Sequence, residues 1–168
     1  ADLALRVSVR MMEYELQRSP VTCGMWQTYL YQSGAAWDIS EYQPVIEQTV
    51  AYIAELKKIA NGKAPDDVFA RLPIVCVSWT DVCGFIDWLN DGQGKYRYRL
   101  PTECEWEAAI CRYDDWFGPW PSSAEFSSEV YLRYIGFGIA PVGNWETASP
   151  FGVLDACCSA SEWCFNSK

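Results

Sequence analysis

Apolar and polar positions along the chain switch period several times, and each switch falls on a Gly, Pro, Ser or Asn cluster. Residues 7–18 alternate loosely through Val7, Val9, Met11, Tyr14 and Leu16, which predicts a half-buried strand. Thr22 then offers a hydroxyl to an unpaired first-turn amide. Met25, Trp26, Tyr29 and Leu30 follow at helical spacing until Ser33-Gly34 stops the run. A second helix is predicted over 41–62. Pro44 fits its first turn, Val45, Thr49, Tyr52, Ile53 and Leu56 share one face, and Lys57 and Lys58 suit the negative end of the helix dipole before Asn61-Gly62. Leu72 to Val77 reads as a short apolar strand. Ser78 caps a third helix with Asp81 as a weak capping-box partner, and Val82, Phe85, Ile86 and Leu89 form its buried stripe up to Asn90-Asp91-Gly92.

Tyr96 to Leu100 is a short extended piece. Thr102 and Glu105 then make a T-x-x-E box, in which each side chain satisfies the other residue's amide, ahead of an apolar face of Trp106, Ala109 and Ile110. From 114 onward Trp, Gly, Pro and Ser are frequent and no helical period is visible, so loops and short strands are expected there.

Composition narrows the function. At ~150 residues per domain, 168 residues make one domain, 1–168. A 15% aromatic content supplies ample core and rules out global disorder. The net charge of −9 argues against nucleic acid and anionic lipid as partners, because both need clustered Lys and Arg. No apolar run reaches the ~20 residues of a membrane span, and the first residues lack the pattern of a signal peptide. There is no histidine, so a Ser-His-Asp triad, a Cys-His pair and His-rich metal sites have no basis within the sequence. The eight cysteines contain no C-x-x-C pair, and adjacent Cys157 and Cys158 do not bridge easily. Cys83 and Cys104 sit at positions that suit small apolar side chains. Buried free thiols are the favoured reading, with disulfides and metal or catalytic thiols left open.

Two segments are more specific than propensity explains. The first runs Pro73-Ile74-Val75-Cys76-Val77-Ser78-Trp79-Thr80-Asp81, then Trp88-Leu89, then Tyr98-Arg99-Leu100-Pro101-Thr102-Glu103-Cys104-Glu105-Trp106-Glu107. The second runs Pro141-Val142-Gly143, Phe151-Gly152-Val153-Leu154-Asp155 and Ser159-Ala160-Ser161-Glu162-Trp163-Cys164. Together with Pro20-Val21-Thr22 through Trp26 and Leu30, they resemble the sulfatase-modifying-factor, or formylglycine-generating-enzyme, family over roughly 14–164.

The resemblance implies an α+β, C-type-lectin-like fold: two main helices packed on small twisted antiparallel sheets, rich in loops. The helix at 41–62 stands as an insertion relative to that pattern. Family enzymes carry a copper-binding cysteine pair beside an R-G-G-S-W stretch, and a related branch uses histidine-bound iron. Neither the stretch nor any histidine occurs here. The domain is therefore expected to be incomplete towards its C-terminus or a non-catalytic relative. The family's calcium site maps to Asp155, Ser159 and Glu162, with Ser159 giving a weaker hydroxyl ligand where the family has an amide oxygen.

Each candidate has a plainer reading beside it. Glu103, Glu105 and Glu107 do not share a helix face, and Glu105 serves as a cap partner. Arg99 is expected to pair with a nearby carboxylate, since Arg is the usual bidentate partner. Ser78, Asp81, Arg99, Thr102, Glu105, Trp106 and Trp163 are read as structural, and Trp79, Trp106 and Trp163 as core. Trp116, Trp120 and Trp145 lie in loop territory and are candidate ligand-binding residues. Glu162 is either a calcium ligand or a hydrogen-bonded carboxylate. Cys157, Cys158 and Cys164 lack nearby cations that would activate a thiolate.

The expectation is a binding or assembly module contacting protein or glycan, extracellular, cell-surface or virion-associated. No cofactor is firmly expected; calcium is the one whose ligand positions the resemblance maps onto residues present here. The alternatives are a fragment of a copper-dependent oxidase and a variable protein of a diversity-generating retroelement.

Overall fold

A computed structural model describes residues 12–37, 51, 69–92, 94–110, 141–143, 149–156 and 160–165. Thr22 opens helix α1, Cys23–Ser33, with its hydroxyl accepting from the Met25 amide at 3.3 Å. Gly34 closes it at φ 69, the left-handed conformation that glycine adopts without a Cβ penalty, and its N–H reaches the Leu30 carbonyl at 3.0 Å. The face turned inward carries Cys23, Trp26 and Tyr29. Met25, expected on that face, is 38% exposed.

A 3₁₀ turn, Phe69–Arg71, packs against α1 and leads to a single antiparallel bridge between Thr22 and Pro73. The Cys23 amide donates to the Leu72 carbonyl and the Ile74 amide to the Val21 carbonyl, both at 2.8 Å. Among the described residues this bridge is the extent of pairing between 72–77 and α1's entry, and no sheet forms. Residues 12–18 and 96–100 run without strand pairing. At Tyr98 the side chain of Asn90 supplies the missing partner: its Nδ2 donates to the Tyr98 carbonyl and its Oδ1 accepts from the Tyr98 amide. The predicted helix at 41–62 lies outside the described residues, apart from Ala51, which is helical.

Helix α2, Trp79–Asp91, starts with a full capping box between Ser78 and Asp81. Its Phe85 joins Trp26 and Tyr29 in an aromatic core, flanked by Val21, Leu30, Ala35, Trp37, Ile74, Val77, Trp88 and Leu89. Trp26 stacks on Phe85 at 5.3 Å, and Tyr29 meets Trp26 and Phe85 edge-on at 5.2 and 5.5 Å. These offset and edge arrangements are the ones the ring quadrupole favours. Gly84 lets α2 come this close: a Cβ there would lie 2.8 Å from the Tyr29 hydroxyl. Val82 and Ile86, placed on the buried stripe by spacing, are half-buried, because α2 meets α1 mainly through aromatic rings.

Helix α3, Glu103–Ile110, buries Glu105, Ala109 and Ile110. It is tied to distant segments. The Tyr14 hydroxyl donates to the Glu105 carbonyl at 2.7 Å, and the buried Ser149 hydroxyl donates to the Ala109 carbonyl at 2.8 Å. Ser149 also accepts from the Val153 amide, so one hydroxyl fixes both a turn and a helix end. No helix among the described residues is long and apolar enough to cross a membrane.

Candidate functional site

The start of α3 is an electrostatic knot. Arg99 grips the Glu105 carboxylate with both guanidinium arms, Nη1 to Oε2 at 2.7 Å and Nη2 to Oε1 at 2.6 Å. The Thr102 amide donates to Glu105 Oε2 at 2.8 Å, and the Glu105 amide donates to the Thr102 hydroxyl at 3.2 Å. The Arg99 hydrogen bonds hold the Glu105 pKa down at about 2 against the opposing effect of burial, with the Thr102 bonds helping. Glu105 in turn raises the Arg99 pKa. A carboxylate held this way remains an acceptor and does not shuttle protons near neutrality.

On its other side α3 meets the C-terminal segment. The Trp106 indole donates to Glu162 Oε2 at 2.5 Å. The Phe165 amide donates to the Pro101 carbonyl at 2.7 Å, and the Trp163 indole to the Val77 carbonyl at 3.0 Å. The two signature segments therefore close on each other at the starts of α2 and α3. Trp79 meets Trp163 edge-on at 5.8 Å and stacks near Phe165 at 6.3 Å.

The rings are not core as expected. Trp79 is 37%, Trp163 46% and Phe165 49% exposed, because they sit where the two helix starts reach the surface. Glu162 is exposed as a residue, while burial acts on its carboxyl group where it meets the Trp106 indole. That burial pushes its pKa up, and the Trp106 bond partly offsets it.

Cys164 lies between Trp163 and Phe165. Its thiol pKa is raised by burial first, then by the charges of Glu162, Glu103 and Glu107. Cys23 is pushed up to about 11 by burial, and burial also raises Cys76. Cys23, Cys76, Cys83, Cys104 and Cys164 are free thiols. Cys104, expected at a small apolar position, is exposed, because α3 turns it away from the face carrying Ala109 and Ile110. None of the three perturbed thiols has the lowered pKa that a redox or nucleophilic thiolate needs.

Asp155 and Glu162, the described members of the calcium set, are engaged separately. Asp155 is buried at φ 59, and its Oδ2 accepts from the Gly143 amide at 2.5 Å. Glu162 binds the Trp106 indole instead. Among the described residues no three acidic or thiol side chains gather as a metal cluster. Ser159, Trp116, Trp120 and Trp145 lie outside the described residues, as do Cys111, Cys157 and Cys158.

Sequence reasoning missed Phe165 as part of the surface. It also missed Asn90, whose signal as a helix-ending residue hid its second role as a backbone clamp for Tyr98.

The motif network and its C-terminal clasp define one class of domain. Residues 5–167 match the family described as the sulfatase-modifying factor enzyme 1-like domain, and the chain belongs to that family. Membership implies a C-type-lectin-like fold. The chain is also 30% identical over 152 residues to the serine/threonine-protein kinase pkn1 of Chlamydia caviae. That alignment covers 86% of this chain and 21% of the relative, so the chain spans about a fifth of the relative's length. No solved structure matches.

Proposed function

We propose that this domain is a non-catalytic binding or assembly module on the C-type-lectin-like α+β scaffold of its family. The observation that carries the reading is the environment of Cys164. This thiol lies next to Trp163 in the family's second signature segment, and burial first, then the charges of Glu162, Glu103 and Glu107, push its pKa upward. Thiol-based copper and oxygen chemistry works through thiolates, which such surroundings disfavour. The absence of histidine from the sequence removes the alternative imidazole ligands.

The half-exposed rings of Trp79, Trp163 and Phe165 suit contact with a partner. Aromatic residues are enriched at interfaces because they cover large areas at low entropic cost. The kinase relative supports the same view, since a region similar to this domain makes up a fifth of a much longer chain there.

The test is an oxidation assay on the full chain. Purified protein, copper and a Cys-x-Pro-x-Arg peptide are incubated in air, and the peptide's mass is followed. We expect no formylglycine above a no-protein control. Turnover that depends on the protein would refute the reading.

A further inference from the structure

We infer that the face formed by Trp79, Trp163 and Phe165 takes the cationic side chain of a lysine- or arginine-bearing segment of a partner protein. This rests on the binding-module reading and gives the partner its chemistry. The first support is shape. Trp79 and Phe165 lie near-parallel at an interplanar angle of 26°, and Trp163 stands edge-on to Trp79 at 78°. All three remain more than a third open to solvent. A ring face carries negative electrostatic potential and attracts ammonium and guanidinium groups.

The second support is charge, and it is independent of the rings. Cys164 sits between two of the aromatic residues, and its thiol feels the carboxylates of Glu162, Glu103 and Glu107. Glu103 and Glu107 are four residues apart, on one face of α3, and both are exposed. The chain as a whole carries −9. A cation arriving here meets aromatic faces with anionic groups around them. An anion or a neutral apolar helix meets the same rings with unfavourable or unused charges.

The third support is rigidity. The Trp163 indole is anchored on the Val77 carbonyl, the Phe165 amide on Pro101, and Glu162 on the Trp106 indole. The Trp163 ring and the backbone at Phe165 are thus held in place before a ligand docks, which lowers the ordering cost of binding.

The test uses the full chain and fluorescein-labelled oligolysine and oligoarginine peptides, with an oligoglutamate peptide as control, read by anisotropy. We expect saturable binding of the cationic peptides that weakens as salt rises, and none of the oligoglutamate. Phe165→Ala leaves the charge untouched and should weaken binding about three- to tenfold. Phe165→Tyr should restore it, and Phe165→Leu should not, because only the first keeps a π face. The double variant Glu103→Lys with Glu107→Lys should weaken it about tenfold or more.

Circular dichroism and melting confirm that the variants stay folded, as expected for exposed positions. Absence of cationic-peptide binding overturns the inference. So does binding that ignores Phe165→Ala, which reports diffuse charge alone, and so does self-association through this face that cationic peptides do not compete. A negative peptide titration together with a negative oxidation assay removes this inference and leaves the binding-module reading in place. A positive oxidation assay removes the reading itself.

Discussion

Glutamine at position 105 keeps the length and shape of the side chain but loses its charge. In the native protein both Arg99 arms and the Thr102 amide converge on the carboxylate. Glu105→Gln leaves one arm of Arg99 facing an amide N–H₂ group, a donor against a donor. The carboxyl pKa falls from an ordinary 4.5 to about 2 in the folded state. At about 1.36 kcal/mol per pKa unit, that difference corresponds to a ceiling of about 3.4 kcal/mol.

Glu105 is 7% exposed, but the Arg99 side chain covering it is 56% exposed, so water screens the pair. The discounted expectation is about 1–2 kcal/mol. The sign follows from the lowered folded pKa. The contribution is complete above the unfolded value of about 4.5 and is lost as pH falls from there through about 2. Urea melts of wild type and Glu105→Gln at neutral pH should differ by about 1–2 kcal/mol, with the gap closing steadily as pH drops below about 4.5. A gap that stays constant down to about pH 2, or no gap at neutrality, would refute the assignment of stability to this ion pair.

Three further outcomes follow from the packing. Gly84→Ala should lower stability by about 1–3 kcal/mol despite alanine's better helix propensity, because the new methyl would meet the Tyr29 hydroxyl at 2.8 Å. Adding Tyr29→Phe, which deletes that hydroxyl, should recover most of the loss in thermal melts. Ser78→Ala removes the acceptor for the Asp81 amide and should cost about 1 kcal/mol in urea unfolding. Brief alkylation of the native protein followed by peptide mapping should label exposed Cys104 well before Cys23, which is buried with its pKa pushed to about 11. Equal labelling of the two would contradict the packing around α1.

Local grammar was readable from the chain, and long-range pairing was not. The caps at Thr22 and Ser78 and the box at Thr102 and Glu105 are encoded within four residues of the amides they satisfy, so spacing alone points to them. Arg99 is also close to Glu105 in sequence, and its preference for carboxylates made the pairing foreseeable. Of the strand readings, 7–18 lies outside the described residues up to 11 and shows no strand pairing over 12–18, while 72–77 pairs at the Thr22–Pro73 bridge alone. Alternating or apolar runs show a wish to be half-buried, not a hydrogen-bonding partner, and Asn90 shows how a single amide side chain can stand in for one. The Trp79 and Trp163 rings were read as core because large aromatics usually are. Their exposure follows from contacts spanning 86 residues, between Trp163 and Val77, which periodicity does not report.

The stretch Tyr98 to Glu107, on which the family resemblance leans most, has a structural task for most of its residues. Arg99 and Thr102 hold Glu105, Pro101 receives the Phe165 amide, and Trp106 holds Glu162. What this motif specifies is a way of clasping the C-terminal segment to the starts of two helices. The positions it leaves facing outward, Glu103, Cys104 and Glu107, are not used by the clasp. A scaffold whose signature is spent on holding itself together can change its surface chemistry without losing its fold. The acidic, aromatic face on this chain is one such surface, built on residues that the clasp positions but does not bury.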